Sequence, residues 1–328
     1  MLRRIRFRQD RPIDPQNAPS LLTVTHRSSV TEDQIDHLGH MNVRYYSAHA
    51  RTGAAELLAS LGLTSDGGRI VVGRDVYVRH HREQLAGAPL EVRGGVLDAS
   101  SERVRLYEEL VNPDADEVAA TFVLTYEVTD PSRRQHLEVD DATVAVARSA
   151  SVPLPEYGRP RSISLDEDPT ARPPSLDLVL ERGLAIRQVR AIGDDVEVDD
   201  GGFVSSISVG ELMWGGDPMP GAEFRPLEPL PDGHEMGFAT MESRASWARP
   251  ARRGDRVQSF GAEVAIQDKT MLSRHWLFDV DRAELIAVFS VLNLAFDTTA
   301  RRAITIPDTV RSRIGRRLYP DLADAGSR

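Results

Sequence analysis

"VTEDQIDHLGHMNVRYYSAHARTGAAELLASLGL", Val30 to Leu63, is the stretch that decides the fold. From Val43 onward, apolar residues recur at intervals of three and four: Val43, Tyr46, Ala50, Ala54, Leu57, Leu58 and Leu61. That spacing predicts an amphipathic helix of about five turns at ~3.6 residues per turn, ended near Gly62. Immediately before it, "IDHLGHMN" (Ile35 to Asn42) brings together an aspartate, two histidines, a glycine and an asparagine. Asp, Gly and Asn collect at helix starts as caps, so the same residues can be read as structure or as chemistry.

Outward from the helix, the pattern turns to strands. Residues Leu21 to Val30 alternate, and four β-rich runs follow near Ile70 to His81, Leu90 to Asp98, Arg103 to Val111 and Val118 to Val128. Gly, Pro, Asn, Asp and Ser separate them. The connections suit antiparallel hairpins and leave no room for βαβ crossovers. The expected fold class is therefore α+β, an antiparallel sheet wrapped around a central helix.

The chain then repeats itself. At an offset of 167, "EVAATFVLTYEVTD" (Glu117 to Asp130) falls on "ELIAVFSVLNLAFD" (Glu284 to Asp297), Gly87 on Gly254, Asp114 on Asp281 and Leu137 on Ile304. A single ungapped offset across half a chain predicts two similar domains in tandem. Between them "SASVPLPEYGRPRSISLDEDPTARPPS", rich in Pro and Ser, reads as a linker or an extended surface strap. The expected layout is a tail at 1–19, a first domain at 20–146, a linker at 147–178, a second domain at 179–310 and a tail at 311–328. A shorter second helix is expected at roughly Val204 to Trp214, stopped by the Gly- and Pro-rich run after it.

Composition bounds the function. A length of 328 residues suits two domains, and 41% hydrophobic content supports a core in each. The net charge of -10 argues against a nucleic-acid or anionic-membrane surface. No stretch approaches the ~18–20 apolar residues of a membrane span, and no apolar region follows the basic N-terminus, so the expected location is cytoplasmic. With Cys 0 there is no disulfide framework, no thiol nucleophile and no Cys-ligated zinc.

The Val30 to Leu63 stretch, with its downstream strands, resembles the 4-hydroxybenzoyl-CoA thioesterase branch of the hotdog-fold superfamily. That signature is an Asp, two spacers, Gly-His-(Val or Met)-Asn and then a Tyr, supplied here by Asp36, Gly39, His40, Met41, Asn42 and Tyr45 or Tyr46. A second Asn usually follows the first, and here the position is Val43. The resemblance covers roughly residues 20 to 145, and the repeat looks like the double-hotdog arrangement of acyl-ACP and some acyl-CoA thioesterases. It implies hydrolysis of an acyl-CoA or acyl-carrier-protein thioester. Coenzyme A or phosphopantetheine enters as part of the substrate, with no separate cofactor and no metal. A homodimer of double-hotdog chains is an assembly open to it.

The chemistry can be argued from the residues too. Thioester hydrolysis needs a nucleophile or base and a place for negative charge on the carbonyl oxygen. A carboxylate beside a helix N-terminus, where N–H groups lack partners and the dipole is positive, provides both. Asp36 is expected to act as nucleophile or general base, two roles the sequence leaves open. The backbone of Gly39, His40 and Met41 would donate hydrogen bonds, the side chains of His40 and Asn42 would orient water or the carbonyl, and Tyr45 and Tyr46 would line the substrate. At an offset of 163, "DHLGHMN" falls on "DDGGFVS": Asp199 and Gly202 keep the cap, while Phe203 and Ser205 replace His40 and Asn42. One active site is expected, in the first repeat, with the second as its fixed partner.

In the resembled family the strand end at "YVRHHREQLAG" (Tyr77 to Gly87) lies near the thioester and the pantetheine arm. Arg79, His80, His81 and Arg82, with Arg249, Arg252 and Arg253 of the matching "RASWARPARRG", are thus candidates for phosphate or an acidic carrier helix, although arginines at strand ends are commonly just solvated. Asp36, His37 and His40 as metal ligands lack a third His or Cys at a telling spacing. Glu56 is a reserve acid that also reads as a plain surface residue. A hotdog dehydratase and a non-catalytic acyl-binding module are the other classes left open.

Overall fold

The computed structural model describes residues 22–36, 38–66, 68–130, 135–193, 196, 209–220 and 227–323. They form two compact units, and the chain passes from one to the other between Arg161 and Ser162, inside the Pro-rich segment. Both are α+β and antiparallel. Among the described residues no helix is long and apolar enough to cross a membrane.

The first unit begins with β1 (Thr23–Ser29) and α1 (Val43–Ser60). Next come β2 (Ile70–His80), β3 (Pro89–Ala99), β4 (Val104–Asn112), β5 (Glu117–Asp130) and β6 (Gln135–Leu137), then α2 (Asp141–Ser149). The strand order is β1-β3-β4-β5-β2, with β6 paired to β5. Strand alternation sends Val104, Leu106, Leu110, Phe122 and Leu124 to one face, where they pack with Tyr46, Ala50, Ala54 and Leu58 of α1. The helix starts where the Asn42 carboxamide oxygen accepts from the Arg44 N–H, and it stops before Gly62, whose φ of 76° takes the left-handed turn.

The opposite face of this sheet is covered by the proline-rich segment, so the expected strap is a packed one. The Val152 N–H donates to the Val96 carbonyl at 2.8 Å. The Arg79 guanidinium donates to the Tyr157 and Arg159 carbonyls, and the Tyr157 and Tyr107 hydroxyls both donate to Glu109.

The second unit contains α3 (Leu176–Glu181), β7 (Arg190–Ala191), α4 (Val209–Trp214) and β8 (Glu228–Pro229). It continues with β9 (Glu235–Trp247), β10 (Arg256–Ile266), β11 (Thr270–Asp279), β12 (Glu284–Asp297), β13 (Arg302–Ala303) and α5 (Asp308–Gly315). Its order is β9-β12-β11-β10-β7, with β13 on β12 and β8 on β9. Helix α4 agrees with the end of the expected second helix. Asp199, Gly202, Phe203 and Ser205, where the expected counterpart of the Asp36 turn would sit, lie outside the described residues.

The sequence offset reappears in irregularities of the ladder. Bulged residues Arg74, Leu97 and Ala119 of the first unit correspond to Met241, Val264 and Ile286 of the second. Asp116 and Ala283, at the tips of the matching hairpins, have φ of 50° and 53°, and Gly87 and Gly254 have 77° and 88°. Each pair is 167 positions apart, so the two units share three bulges and two turns at the offset found in the sequence.

Candidate active site

The segment from Gln34 to Asn42 closes on itself as a tight turn. The Asp36 N–H donates to the His40 carbonyl at 2.9 Å, the Gly39 N–H to the Asp36 carbonyl at 3.0 Å and the Asn42 N–H to the Gln34 carbonyl at 2.9 Å. Gly39 has a φ of 84°, a conformation that costs a β-carbon residue about 1–2 kcal/mol. The turn therefore holds Asp36 and His40 side by side just ahead of α1.

Three side chains then form a line. His40 Nδ1 lies 3.5 Å from Asp36 Oδ2, and His40 Nε2 lies 3.3 Å from Glu83 Oε1. Asp36 and His40 side chains are 16% exposed and that of Glu83 is 25% exposed, sheltered yet reachable by a substrate. The other Asp36 oxygen accepts from the Leu38 N–H at 2.8 Å, which orients the carboxylate. A carboxylate, an imidazole and a second carboxylate in sequence can hold, move and stabilise a proton.

The loop after β2 supplies the second wall. The Met41 N–H donates to the Gln84 carbonyl at 2.8 Å, and the Tyr46 hydroxyl donates to the Arg82 carbonyl at 3.0 Å. Burial raises the Tyr46 hydroxyl above its ordinary range, so it stays protonated. The Tyr46 ring meets the His80 ring edge-on at 5.1 Å between centroids. Burial lowers His80 to about 4, which makes it a neutral imidazole near pH 7.

The remaining expected residues divide by strand alternation. His80 faces α1 with Tyr46, whereas Arg79 and His81 point to the strap side of the sheet. Arg79 holds the strap carbonyls, and His81 Nε2 lies 3.1 Å from Thr121 Oγ1. Burial first, then the charge of Arg79, pushes His81 well below the usual imidazole range. Tyr45 accepts from Arg44 and donates to the Asp33 carbonyl, so Tyr46 is the tyrosine of the pair that adjoins the turn and loop. In the second unit, the Arg249 guanidinium is taken up by Asp255, Asp279 and Glu284. Glu56 is exposed on α1.

Two details of the expected chemistry change. The N–H groups of Gly39 and Met41 are engaged within the turn and with Gln84, which leaves the His40 and Val43 N–H groups without acceptors among the described residues. Asn42 uses its carboxamide oxygen as the helix cap. Glu83 went unnoticed in the sequence, being 43 positions from His40 in a loop. The repeat held a signal for it, since the residue 167 positions later is Pro250.

Comparison with known proteins finds likenesses in sequence and in fold. Residues 30–156 match the model of the thioesterase-like superfamily. No curated protein sequence matches the chain. Among solved structures it is similar to the 12:0-ACP thioesterase from Umbellularia californica, with 9% identity and a TM-score of 0.60 over 84% of this chain and 95% of that one. It is similar also to an acyl-ACP thioesterase from Bacteroides thetaiotaomicron, with 9% identity and a TM-score of 0.57 over 83% of this chain and 98% of that one. At these identities the likeness to solved structures is one of fold. Asp36, His40 and Glu83 all lie within the segment that matches the thioesterase-like superfamily model.

Proposed function

We propose that this protein hydrolyses acyl thioesters of coenzyme A or of an acyl carrier protein, in a tandem of two hotdog domains with one active site, in the first. The observation that carries the reading is the Asp36–His40–Glu83 line at the N-terminus of α1. Asp36 Oδ2 either attacks the thioester carbonyl carbon or takes a proton from the attacking water. The negative charge that develops on the carbonyl oxygen is met by the His40 and Val43 N–H groups and the positive end of the helix. His40, held between two carboxylates, passes a proton toward the departing thiolate. His80, neutral and edge-on to the Tyr46 ring, packs behind this line beside Tyr46.

The second repeat supports a single site. Its scaffold matches in bulges and turns, yet Pro250 stands at the Glu83 position and, by sequence, Phe203 and Ser205 stand at those of His40 and Asn42. The test is free-thiol release from a panel of acyl-CoA and acyl-carrier-protein substrates of varied chain length. Turnover of at least one is expected, and none at all would contradict the proposal. Single turnover in 18O-water tests the two roles of Asp36: general-base attack labels the product acid, whereas carboxylate attack followed by water opening the anhydride at the Asp36 carbonyl gives an unlabelled acid and leaves 18O in Asp36.

A further inference from the structure

Behind the site, two buried amide side chains touch. Asn112 Nδ2 donates to Gln84 Oε1 at 2.8 Å, and Asn112 Oδ1 accepts from the Ala115 N–H at 3.2 Å in the β4–β5 turn. Gln84 is 2% exposed and Asn112 5%, so neither can touch a substrate. Resting on the function proposed above, we infer that Gln84 and Asn112 are positioning residues that set the Glu83–His40 contact.

The hairpin turn fixes Asn112, Asn112 fixes the Gln84 side chain, and the Gln84 carbonyl holds the Met41 N–H beside His40. Glu83, one residue before Gln84, reaches His40 from the same loop. Both halves of the catalytic line are thus referenced to one buried pair. A shift of ~1 Å at such a pair is enough to cost up to about 10²-fold in rate.

The second repeat shows that the scaffold does not require this pair. The backbone pattern persists: the N–H groups of His81 and Arg82 donate to the Ala119 carbonyl, and those of Ala248 and Arg249 donate to the Ile286 carbonyl. Yet Gln84 becomes Ala251 and Asn112 becomes Asp279. Asp279 still accepts N–H groups of its own hairpin turn, from Asp281 and Arg282. It ties that turn to the loop through Arg249, the counterpart of Arg82, two positions earlier than the Gln84 anchor. The repeat that loses Glu83 has also lost the amide anchor and kept a link by charge. The amide pair therefore follows the chemistry and not the fold.

The test uses the full chain with Gln84→Leu, Asn112→Leu, the double variant and Asn112→Asp. Asp is tolerated at this turn in the second repeat, and a Gln84 amide rotated by half a turn can donate to it. Each leucine variant should lower kcat per folded molecule by about 10-fold to 10²-fold with KM unchanged. The double variant should be no worse than either single one, and Asn112→Asp should retain most of kcat. A second readout is the 15N resonances of the His40 imidazole, which in Asn112→Leu should move toward those of Glu83→Gln. Lower thermal stability with unchanged kcat per folded molecule, additive losses, or an Asn112→Asp as impaired as Asn112→Leu would each overturn the inference. If the wild type turns over no thioester, the functional reading fails and the His40 resonances alone decide the positioning role.

Discussion

Gly53 sits in the third turn of α1, about 15 Å along the helix from its start at 1.5 Å per residue, and it faces β1 and β3. A β-carbon there would lie 2.5 Å from Val92 Cγ1 and 2.7 Å from Thr25 Oγ1, where ordinary contacts are about 3.5–4.0 Å. Val92 is fully buried and β-branched, with little rotamer freedom, so the helix itself must lift by roughly 1 Å. Replacing glycine by alanine inside a helix should by itself add about 0.5–1 kcal/mol. Overpacking costs about 1–3 kcal/mol, which leaves a net loss of roughly 1–2 kcal/mol for Gly53→Ala. At about 2–4 °C per kcal/mol for a unit of this size, Tm should fall by roughly 2–8 °C. Because α1 carries the Asn42 cap and the Asp36 turn at its start, kcat should fall as well, by up to about 10²-fold, despite the distance. Differential scanning calorimetry and thiol-release kinetics measure the two effects. A raised Tm with unchanged kcat would refute the reasoning, showing helix propensity outweighing a contact that was never tight.

Three further predictions follow from buried charge and from the cap. Glu108 is fully buried with neither carboxyl oxygen hydrogen-bonded among the described residues, and burial pushes it well above the usual carboxylate range. A raised folded-state value means that the contribution of Glu108 to stability is greatest below the unfolded value of about 4.3 and is lost as pH rises through the folded one. In pH-dependent urea melts, Glu108→Gln should remove that slope and be more stable at pH 8 by about 1–3 kcal/mol. Arg249→Met should destabilise by about 2–3 kcal/mol at pH 7, short of the ~3–5 for an orphaned buried ion, because Arg282 still contacts Asp279. Burial would raise Asp279, but the Arg282 side chain, the turn N–H groups of Arg282 and Asp281 and the charge of Arg249 together outweigh it and hold the carboxyl below its ordinary range. That stability is present above about 3.9 and is lost as pH falls through the folded value, so the deficit should shrink in acid melts. Asn42→Ala removes the α1 cap and should cost about 1 kcal/mol, read as a shift of the urea midpoint at constant slope.

Much of this fold could be read from apolar spacing. The run from Val43 to Leu61 became α1, and the four β-rich runs became β2 to β5 with ends moved by a residue or two. The offset of 167 was visible too, because Gly87 and Gly254 mark left-handed turns that few residues can make. The faces of β2 were harder. A bulge at Arg74 resets the alternation within the strand, so counting from Ile70 does not show which of Arg79, His80 and His81 faces α1. Asp36 and His40 were legible because one short turn holds both. Glu83, Gln84 and Asn112 were not, since their roles depend on which loop the antiparallel order brings beside that turn.

The carboxylate of Asp36 is the centre of the proposed reaction. Steady-state thiol release by wild type and Asp36→Asn, on the best substrate of the panel and with Tm measured for both, is the decisive comparison. The amide keeps the oxygen that accepts from Leu38 and removes the negative charge facing His40. The account predicts a fall in kcat of about 10²- to 10⁴-fold with Tm within a few degrees. Turnover equal to wild type in a folded Asp36→Asn protein would contradict it.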